Sequence, residues 1–255
     1  MLFEIATHIA LLLILAAFLA GFVDSIAGGG GLISVPALLL AGASPIEALA
    51  TNKLQGTFGA ATAAATYARA GHVRLRAQLG MAVISAIGGA LGALMAHLIP
   101  VAVLRLVMPV VLVGVALFFA LKPGLTDADR VERMRPGVFA VTAVPLIAAY
   151  DGFFGPGTGS FFMLAFVMLA GFGVLKATAH TKLLNFASNV GSLAVFIPSG
   201  AMWWAVGLCM AAAQVAGAAL GARLAMRVGS RLIKPLLVVT SSAMAGRLLW
   251  QALAG

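Results

Sequence analysis

Long apolar runs decide what kind of fold is open to this chain. Ile9–Val23, Met81–Met95 and Val101–Leu121 contain no acidic residue, and Arg105 is their one basic residue. Runs of that length and polarity read as membrane helices. Composition agrees: 62% of residues are hydrophobic and 9% charged, with a mean hydropathy of +1.10. Soluble domains carry roughly a quarter charged residues. The chain reads as an all-α integral membrane protein, multi-pass, in the cell's inner (plasma) membrane and in contact with lipid.

The formal net charge of +9 does not point to nucleic acid. The basic residues are scattered through short loops between apolar runs, where the positive-inside bias puts them, and form no single stripe. A lone cysteine, Cys209, excludes an intrachain disulfide and a thiolate metal cluster, and reads as packing. The N-terminus lacks the basic region of a signal peptide and carries Glu4 instead, so its apolar run is read as a structural helix.

Ten apolar segments follow one another. The first five cover about 8–27, a short 31–42, 46–69, 77–98 and 101–121; the second five cover 136–154, a short 158–171, 175–197, 203–225 and 232–252. Between them lies a polar linker, 122–135, with Asp127, Asp129 and Glu132, read as a solvated loop. The whole of 1–255 is expected to form a single transmembrane domain with repeats 1–121 and 136–255. Each repeat is expected to comprise a short hairpin or half-helix, broken at a glycine-rich loop, plus three membrane-spanning helices.

The two halves match residue for residue. At an offset of 129, Gly42 falls on Gly171, Ala48 on Ala177, Lys53 on Lys182, Gly71 on Gly200, Gly88 on Gly217 and Gly92 on Gly221. The stretch Asp24-Ser-Ile-Ala-Gly-Gly-Gly-Gly31 has its copy in Asp151-Gly-Phe-Phe-Gly-Pro-Gly-Thr-Gly159, offset by 127 at the aspartates. Internal repeats are a frequent ground plan of secondary transporters.

Loop charge argues that the copies are inverted. Arg69, Arg74 and Arg76 mark one loop, whereas its counterpart 198–205 has no Lys or Arg and holds Trp203 and Trp204. Arg223, Arg227, Arg231 and Lys234 mark another, whose counterpart has only Arg105; Glu47 is replaced by Lys176. Placing the basic loops inside makes the linker and Lys176 cytoplasmic and both termini extracytoplasmic.

Residues 31–42 are too short for an untilted span, and Pro36 is expected to interrupt them. They read as the return arm of a hairpin turning at the glycines, with 158–171 dipping from the other side. Non-helical backbone at such depth survives only in protein or beside a wet cavity. Gly28, Gly29, Gly30 and Gly31, and Gly155, Gly157, Thr158 and Gly159, would then offer free N–H groups and the positive ends of two helices to an anion. Close helix packing by small residues is the competing reading.

Asp24 and Asp151 precede these loops. An intramembrane carboxylate is costly and points to function, here as carrier of a coupling proton or Na⁺; capping the adjoining turn is the alternative. Thr178, Lys182, Asn185, Asn189 and Ser192 form one polar stripe on a helix whose first-half counterpart keeps only Lys53, with Asn52, Gln55 and Thr57 nearby. The stripe faces protein or water, not lipid. Asn52, Lys53, Lys182, Asn185 and Asn189 are therefore candidate substrate ligands. Interhelical hydrogen bonding, or a lysine reaching for the interface, would also account for them. His180 reads as a packed histidine, and His8, His72 and His97 show no metal-ligand spacing. No metal or organic cofactor is expected.

At these residues the chain resembles the TauE/SafE permeases, a family of sulfite-exporter-like membrane proteins. The resemblance rests on Gly28-Gly-Gly-Gly-Leu-Ile-Ser-Val-Pro36, Ala50-Thr-Asn-Lys-Leu-Gln-Gly56, Gly152-Phe-Phe-Gly-Pro-Gly-Thr-Gly159 and Lys182-Leu-Leu-Asn-Phe-Ala-Ser-Asn189, and covers essentially the whole chain. It implies transport of a small sulfur-containing anion such as sulfite, sulfoacetate or another organosulfonate. The expectation is a secondary transporter working by alternating access between inverted repeats, and not an enzyme. An anion channel is one alternative. A membrane-embedded enzyme is the other: Tyr150-Asp151 faintly resembles an intramembrane aspartyl protease, but a second aspartate preceded by Gly-x-Gly is missing. No Gly-x4-Gly-Lys-Ser/Thr loop supports an ATP-driven pump.

Overall fold

The computed structural model describes residues 7–104, 107, 110, 114, 128–129 and 131–229. The expected segment 232–252 and most of 101–121 lie outside the described residues, as do Arg105, Lys122, Asp127, Arg130, Arg231, Lys234 and Arg247. Within them every regular element is helical. In chain order these are α1 (Thr7–Ala27), α2 (Gly31–Leu40), α3 (Pro45–Arg69), a 3-10 turn (Leu75–Gln78) and α4 (Leu79–Leu98). After the linker come α5 (Pro136–Val141), α6 (Ala143–Phe153), α7 (Thr158–Met168), α8 (Val174–Phe196) and α9 (Trp204–Val228).

Local chemistry explains the boundaries. Ser44-Pro45-Ile46-Glu47 builds a capping box: the Ser44 N–H donates to Glu47 Oε2 at 2.7 Å and the Glu47 N–H to Ser44 Oγ at 3.5 Å, with Pro45 in the first turn. That satisfies donors otherwise orphaned where α3 starts. The expected segment 136–154 is split at Thr142. Pro145 lacks an N–H and its ring opposes the carbonyl four residues back, at Val141, so the helix breaks there. Pro36 behaves otherwise: α2 runs through it. In so short a helix the loss is one bond to Leu32, which the flanking packing of buried Val35 and Leu38 outweighs. The matched pairs Gly42 and Gly171, and Gly71 and Gly200, all have positive φ, a backbone shape that glycine adopts without a Cβ penalty.

Among the described residues, four stretches are long and apolar enough to cross a membrane: His8–Ala27, Leu75–Leu98, Pro136–Phe153 and Trp204–Val228. They carry the lipid-facing surface, with Leu11, Leu15 and Leu19 exposed on α1, Val83, Ile87 and Leu91 on α4, and Leu208 and Leu220 on α9. Helices α3 and α8 differ. They cross each other in the centre, and their large exposed apolar residues are confined to Phe58 on α3 and Val190 and, just past the helix end, Ile197 on α8.

Packing runs crosswise between the halves. Helix α1 lies against α9 and α6 against α4; α3 lies against α9 and α8 against α4. Glycines set the close approaches. A Cβ on Gly217 or Gly221 would strike the carbonyls of Phe18 and Phe22, and one on Gly88 or Gly92 those of Pro145 and Ala149. Phe18 and Pro145, like Phe22 and Ala149, stand 127 apart, the separation of Asp24 and Asp151. The same contact is thus made twice with the halves exchanged.

Two apolar cores lie at opposite ends. One holds Leu13, Ala17, Val35, Leu38, Ala48, Leu49, Phe196 and Val206; the other holds Tyr67, Val73, Phe139, Phe162, Phe166, Val174, Ala177 and Ala225. The α1–α2 hairpin therefore enters from the first end and the α6–α7 hairpin from the second. Arg69, Arg74, Arg76, Arg133, Arg135, Lys176, Arg223 and Arg227 all flank the second core, while Glu47 flanks the first.

The linker is partly anchored, not simply solvated. Asp129 accepts the Gly173 N–H at 2.6 Å and pairs with Lys176 Nζ at 2.8 Å, and the Arg133 and Met134 N–H groups donate to Leu169 O. Asp129 thus caps the start of α8, and the hydrogen bond from Lys176, aided by the Gly173 N–H, holds its carboxyl below the ordinary range.

Candidate functional site

Between the two cores lies a polar layer, and the tips of both hairpins meet in it. The Ser160 N–H donates to Gly28 O at 3.2 Å and Ser160 Oγ to Ala27 O at 2.6 Å. A Cβ on Gly28 would sit 2.2 Å from the Gly159 carbonyl carbon, and one on Gly159 2.6 Å from Gly28 Cα. Gly28 and Gly155 share a positive φ, +84° and +86°. Only glycine allows both the turn and the contact. Helices α2 and α7 start from these tips; the Leu32, Ile33, Ser34, Thr158, Ser160 and Phe161 N–H groups are taken up by nearby glycine carbonyls, which leaves those of Gly31 and Gly159 to the layer.

The carboxylates and lysines pair across the halves. Lys53 Nζ, from α3, lies 2.7 Å from Asp151 Oδ1 on α6. The approach is off the hydrogen-bond direction, but with both side chains buried the charge contact governs. Asp151 Oδ2 accepts Ser188 Oγ at 2.5 Å. Lys182, from α8, donates to the Asp24 backbone carbonyl and lies 3.5 Å from Asp24 Oδ2. Both lysines are fully buried, so neither reaches for the membrane interface. Nor is either ammonium free: each already faces an aspartate of the other half.

A cavity opens beside these pairs. From the hairpins it is lined by Asp24, Gly28, Gly31, Asp151, Gly155 and Gly159; the crossing helices add Asn52, Gly56, Asn185 and Asn189. The centre of a water-sized sphere has ≈ 20 Å³ in which to move, room for one water. Lys53, Lys182, Gly29, Gly30, Gly157 and Thr158 are in the polar layer but not on its wall. Thr158 Oγ1 turns back to Gly155 O at 2.7 Å, and the Gly30 N–H donates to Asp24 Oδ1 at 3.3 Å. Asn52 Oδ1 accepts Ser34 Oγ at 2.6 Å and Gln55 Nε2 at 3.4 Å.

The unequal stripes fit one another. Gly56 on α3 leaves space that Asn189 of α8 fills, its Nδ2 lying 3.5 Å from where a Cβ would be. Thr178, at the head of the expected stripe, is buried with Oγ1 unpartnered, and Ser192 Oγ donates to Ser188 O at 2.7 Å.

Two residues escaped the sequence reading. Ser188 lies three residues past Asn185, beside the stripe, whose spacing passes from Asn185 to Asn189. Gln214 is a lone amide within the apolar α9, a signal in its own right. It lines the cavity at 3% exposure, and its Oε1 has no hydrogen-bond partner. Its stem fills the space left by Gly21 and Gly59.

Comparison with known proteins places this arrangement. Residues 13–248 match the family described as Sulfite exporter TauE/SafE. A probable membrane transporter protein, ORF9, of a Sinorhizobium species is 57% identical over 246 residues, covering 96% of this chain and 94% of that protein. The probable membrane transporter protein YfcA of Escherichia coli K12 is 44% identical, covering 98% and 93%. A probable membrane transporter protein of Haemophilus influenzae is 41% identical, covering 97% of each. No solved structure matches. The chain belongs to the sulfite exporter TauE/SafE family and is a multi-pass membrane transporter.

Proposed function

We propose that the protein is a secondary transporter of small anions, sulfur-containing ones such as sulfite, sulfoacetate or other organosulfonates, and that it works by alternating access between inverted repeats. The observation that carries this reading is the polar layer. Two half-helix N-termini converge there, with Asn52, Asn185, Asn189 and Gln214 around a cavity held between two apolar cores. Oriented N–H groups and amides suit an oxyanion. Lys53 and Lys182 stand immediately behind the wall, able to add positive charge if their aspartate partners let go. The sulfur-containing class is taken from the family's description.

Hairpins entering from opposite cores support the inversion, and the basic residues gathered around one core support placing that end in the cytoplasm. The start of α1, at the opposite end, is then extracytoplasmic, and the membrane is the inner (plasma) membrane. A cavity that admits one water favours a carrier over an open channel. The proteolytic alternative loses its support, because Asp24 and Asp151 are each paired with a lysine and do not share a proton with one another. Names of the relatives point to transport as well.

A screen tests the reading: thermal shift and counterflow of the purified protein with sulfite, thiosulfate, sulfonates and carboxylates. Selective stabilisation and exchange by a sulfur oxyanion are expected. Exchange of none of them, or preference for carboxylates, would overturn the substrate class.

A further inference from the structure

We propose that Asp24, and not its counterpart Asp151, carries a proton that accompanies each anion, and that protonation hands Lys182 from Asp24 to the anion. The inference rests on the transport reading above and goes on to separate two carboxylates that the sequence treats as equals.

Charge balance comes first. The described polar layer holds Asp24, Asp151, Lys53 and Lys182, two charges of each sign, and so is neutral as it stands. An anion added to a buried neutral site leaves an uncompensated charge, which low dielectric makes costly. Gain of one proton on a carboxylate removes that cost for a monoanion. It also frees the paired ammonium, the group with the best reason to turn to the incoming oxyanion.

The geometry then chooses the carboxylate. Asp151 is held on both oxygens, by Lys53 at 2.7 Å and Ser188 at 2.5 Å, and is 2% exposed. Asp24 is held loosely. Its Oδ2 lies 3.5 Å from Lys182, its Oδ1 has only a 3.3 Å bond from the Gly30 N–H, and its side chain is 13% exposed. Lys182 spends its hydrogen bond on the backbone carbonyl of Asp24. The carboxylate is thus the part of the pair that can change state without moving the lysine's anchor.

The surroundings agree. Charged and titratable groups facing Asp24 are Lys182 from α8, Tyr67 from α3 and Asp151 across the cavity. Tyr67 is committed as a donor to Ser25 O at 2.9 Å. From α9 comes Gln214, which lines the same cavity and whose Oε1 is buried without a hydrogen-bond partner. A carboxylic acid brings the O–H donor that this wall lacks; a carboxylate does not. The proton enters with the anion from one aqueous side and leaves with it on the other.

Equilibrium binding to purified protein between about pH 6 and pH 8 tests this with the monoanions methanesulfonate, ethanesulfonate and 2-hydroxyethanesulfonate, whose charge is constant there. One obligatory proton means that wild-type affinity falls up to tenfold per pH unit as pH rises. Asp24→Asn should flatten that slope, and Asp24→Glu should restore it in part. Asp151→Asn, in whatever fraction folds, should retain it. In proteoliposomes an imposed pH gradient should drive accumulation by wild type and not by Asp24→Asn. A wild type that binds with no pH slope, an Asp24→Asn protein that keeps the slope, or a slope lost in Asp151→Asn alone would each overturn the assignment while leaving transport standing. A wild type that binds and exchanges none of the three probes would overturn the sulfur-anion substrate class and this inference with it.

Discussion

The Lys53–Asp151 pair offers the cleanest measurement of what joins the two halves. Its charges are 2.7 Å apart with side chains 1% and 3% exposed. At an effective dielectric of about 20 the attraction at that distance is roughly 6 kcal/mol, against about 5 kcal/mol for Lys182 and Asp24 at 3.5 Å. Desolvation offsets much of either figure, so the informative quantity is the cost of leaving one partner alone. Lys53→Met strands a buried carboxylate with only Ser188 for a partner, and Asp151→Asn strands a buried ammonium. Each should cost about 3–5 kcal/mol. The double variant should cost no more than either single one, giving a coupling of about 3 kcal/mol or more. Reversible unfolding in mixed micelles, followed by helical circular dichroism, measures all four corners of the cycle. The parallel cycle on Lys182 and Asp24 should give a smaller coupling, because that carboxylate is longer from its partner and partly wetted. Additive costs for Lys53 and Asp151, within about 0.5 kcal/mol, would refute the pairing as the link between α3 and α6.

Three further outcomes follow from the same geometry. Gly159→Ala, whose Cβ would press on Gly28 Cα at 2.6 Å, should cost about 1–3 kcal/mol or more and abolish transport; Gly42→Ala, with φ +97° and open space, should cost only about 1–2 kcal/mol of backbone strain and leave transport intact, as melting and uptake assays would show. Cysteines replacing Ala128 and Ala201 in a Cys209→Ala background should label with an impermeant reagent only from the cytoplasm and only from outside, respectively; the reverse pattern defeats the orientation. Lys176 depresses the Asp129 pKa, so the pair's stabilisation is present above the unfolded carboxyl value of about 3.9 and lost as pH falls through the lower folded value. The exposed pair contributes at most about 1 kcal/mol, and the melting difference between wild type and Asp129→Asn should close at acid pH.

Much of this arrangement was legible because the chain writes it twice. An offset of 127 at the aspartates and 129 beyond them located both hairpin tips, both lysines and the glycines of α4 and α9 before any coordinates. The same duplication hid the pairing. With two equivalent aspartates and two equivalent lysines, sequence cannot tell pairing within a half from pairing across halves, and the lysines read as free cations. Only the crossing of α3 and α8 decides it. Gln214 was passed over because apolar neighbours dominate any window on α9, although a single buried amide costs enough to need a reason. The break at Thr142 and the continuity through Pro36 show the limit of proline as punctuation. Pro145 stands far enough into its segment to oppose a helical carbonyl, whereas Pro36 removes one bond from a helix held by its neighbours.

Crosswise packing also determines which parts can move together. Each hairpin is seated on the other half's glycine-rich helix, α1 on α9 and α6 on α4, with backbone against backbone. Contacts that close leave no side-chain layer to slide over, and α8 meets α4 the same way at Gly89 and Gly191, so each of these sets is expected to move as one body. The sequence halves are therefore not the mechanical halves. Relative movement is left to a contact that lacks such a seam, the α3–α8 crossing where Gly56 accepts the Asn189 side chain. Gly56 and Asn189 also line the cavity. A shift of α1 with α9 against α6 with α4 must therefore reshape the cavity and act on both ion pairs at once, since each pair joins a hairpin of one half to a crossing helix of the other. On the proposal made above, the looser pair yields first, which puts Asp24 at the point where a change in charge and a change in access meet.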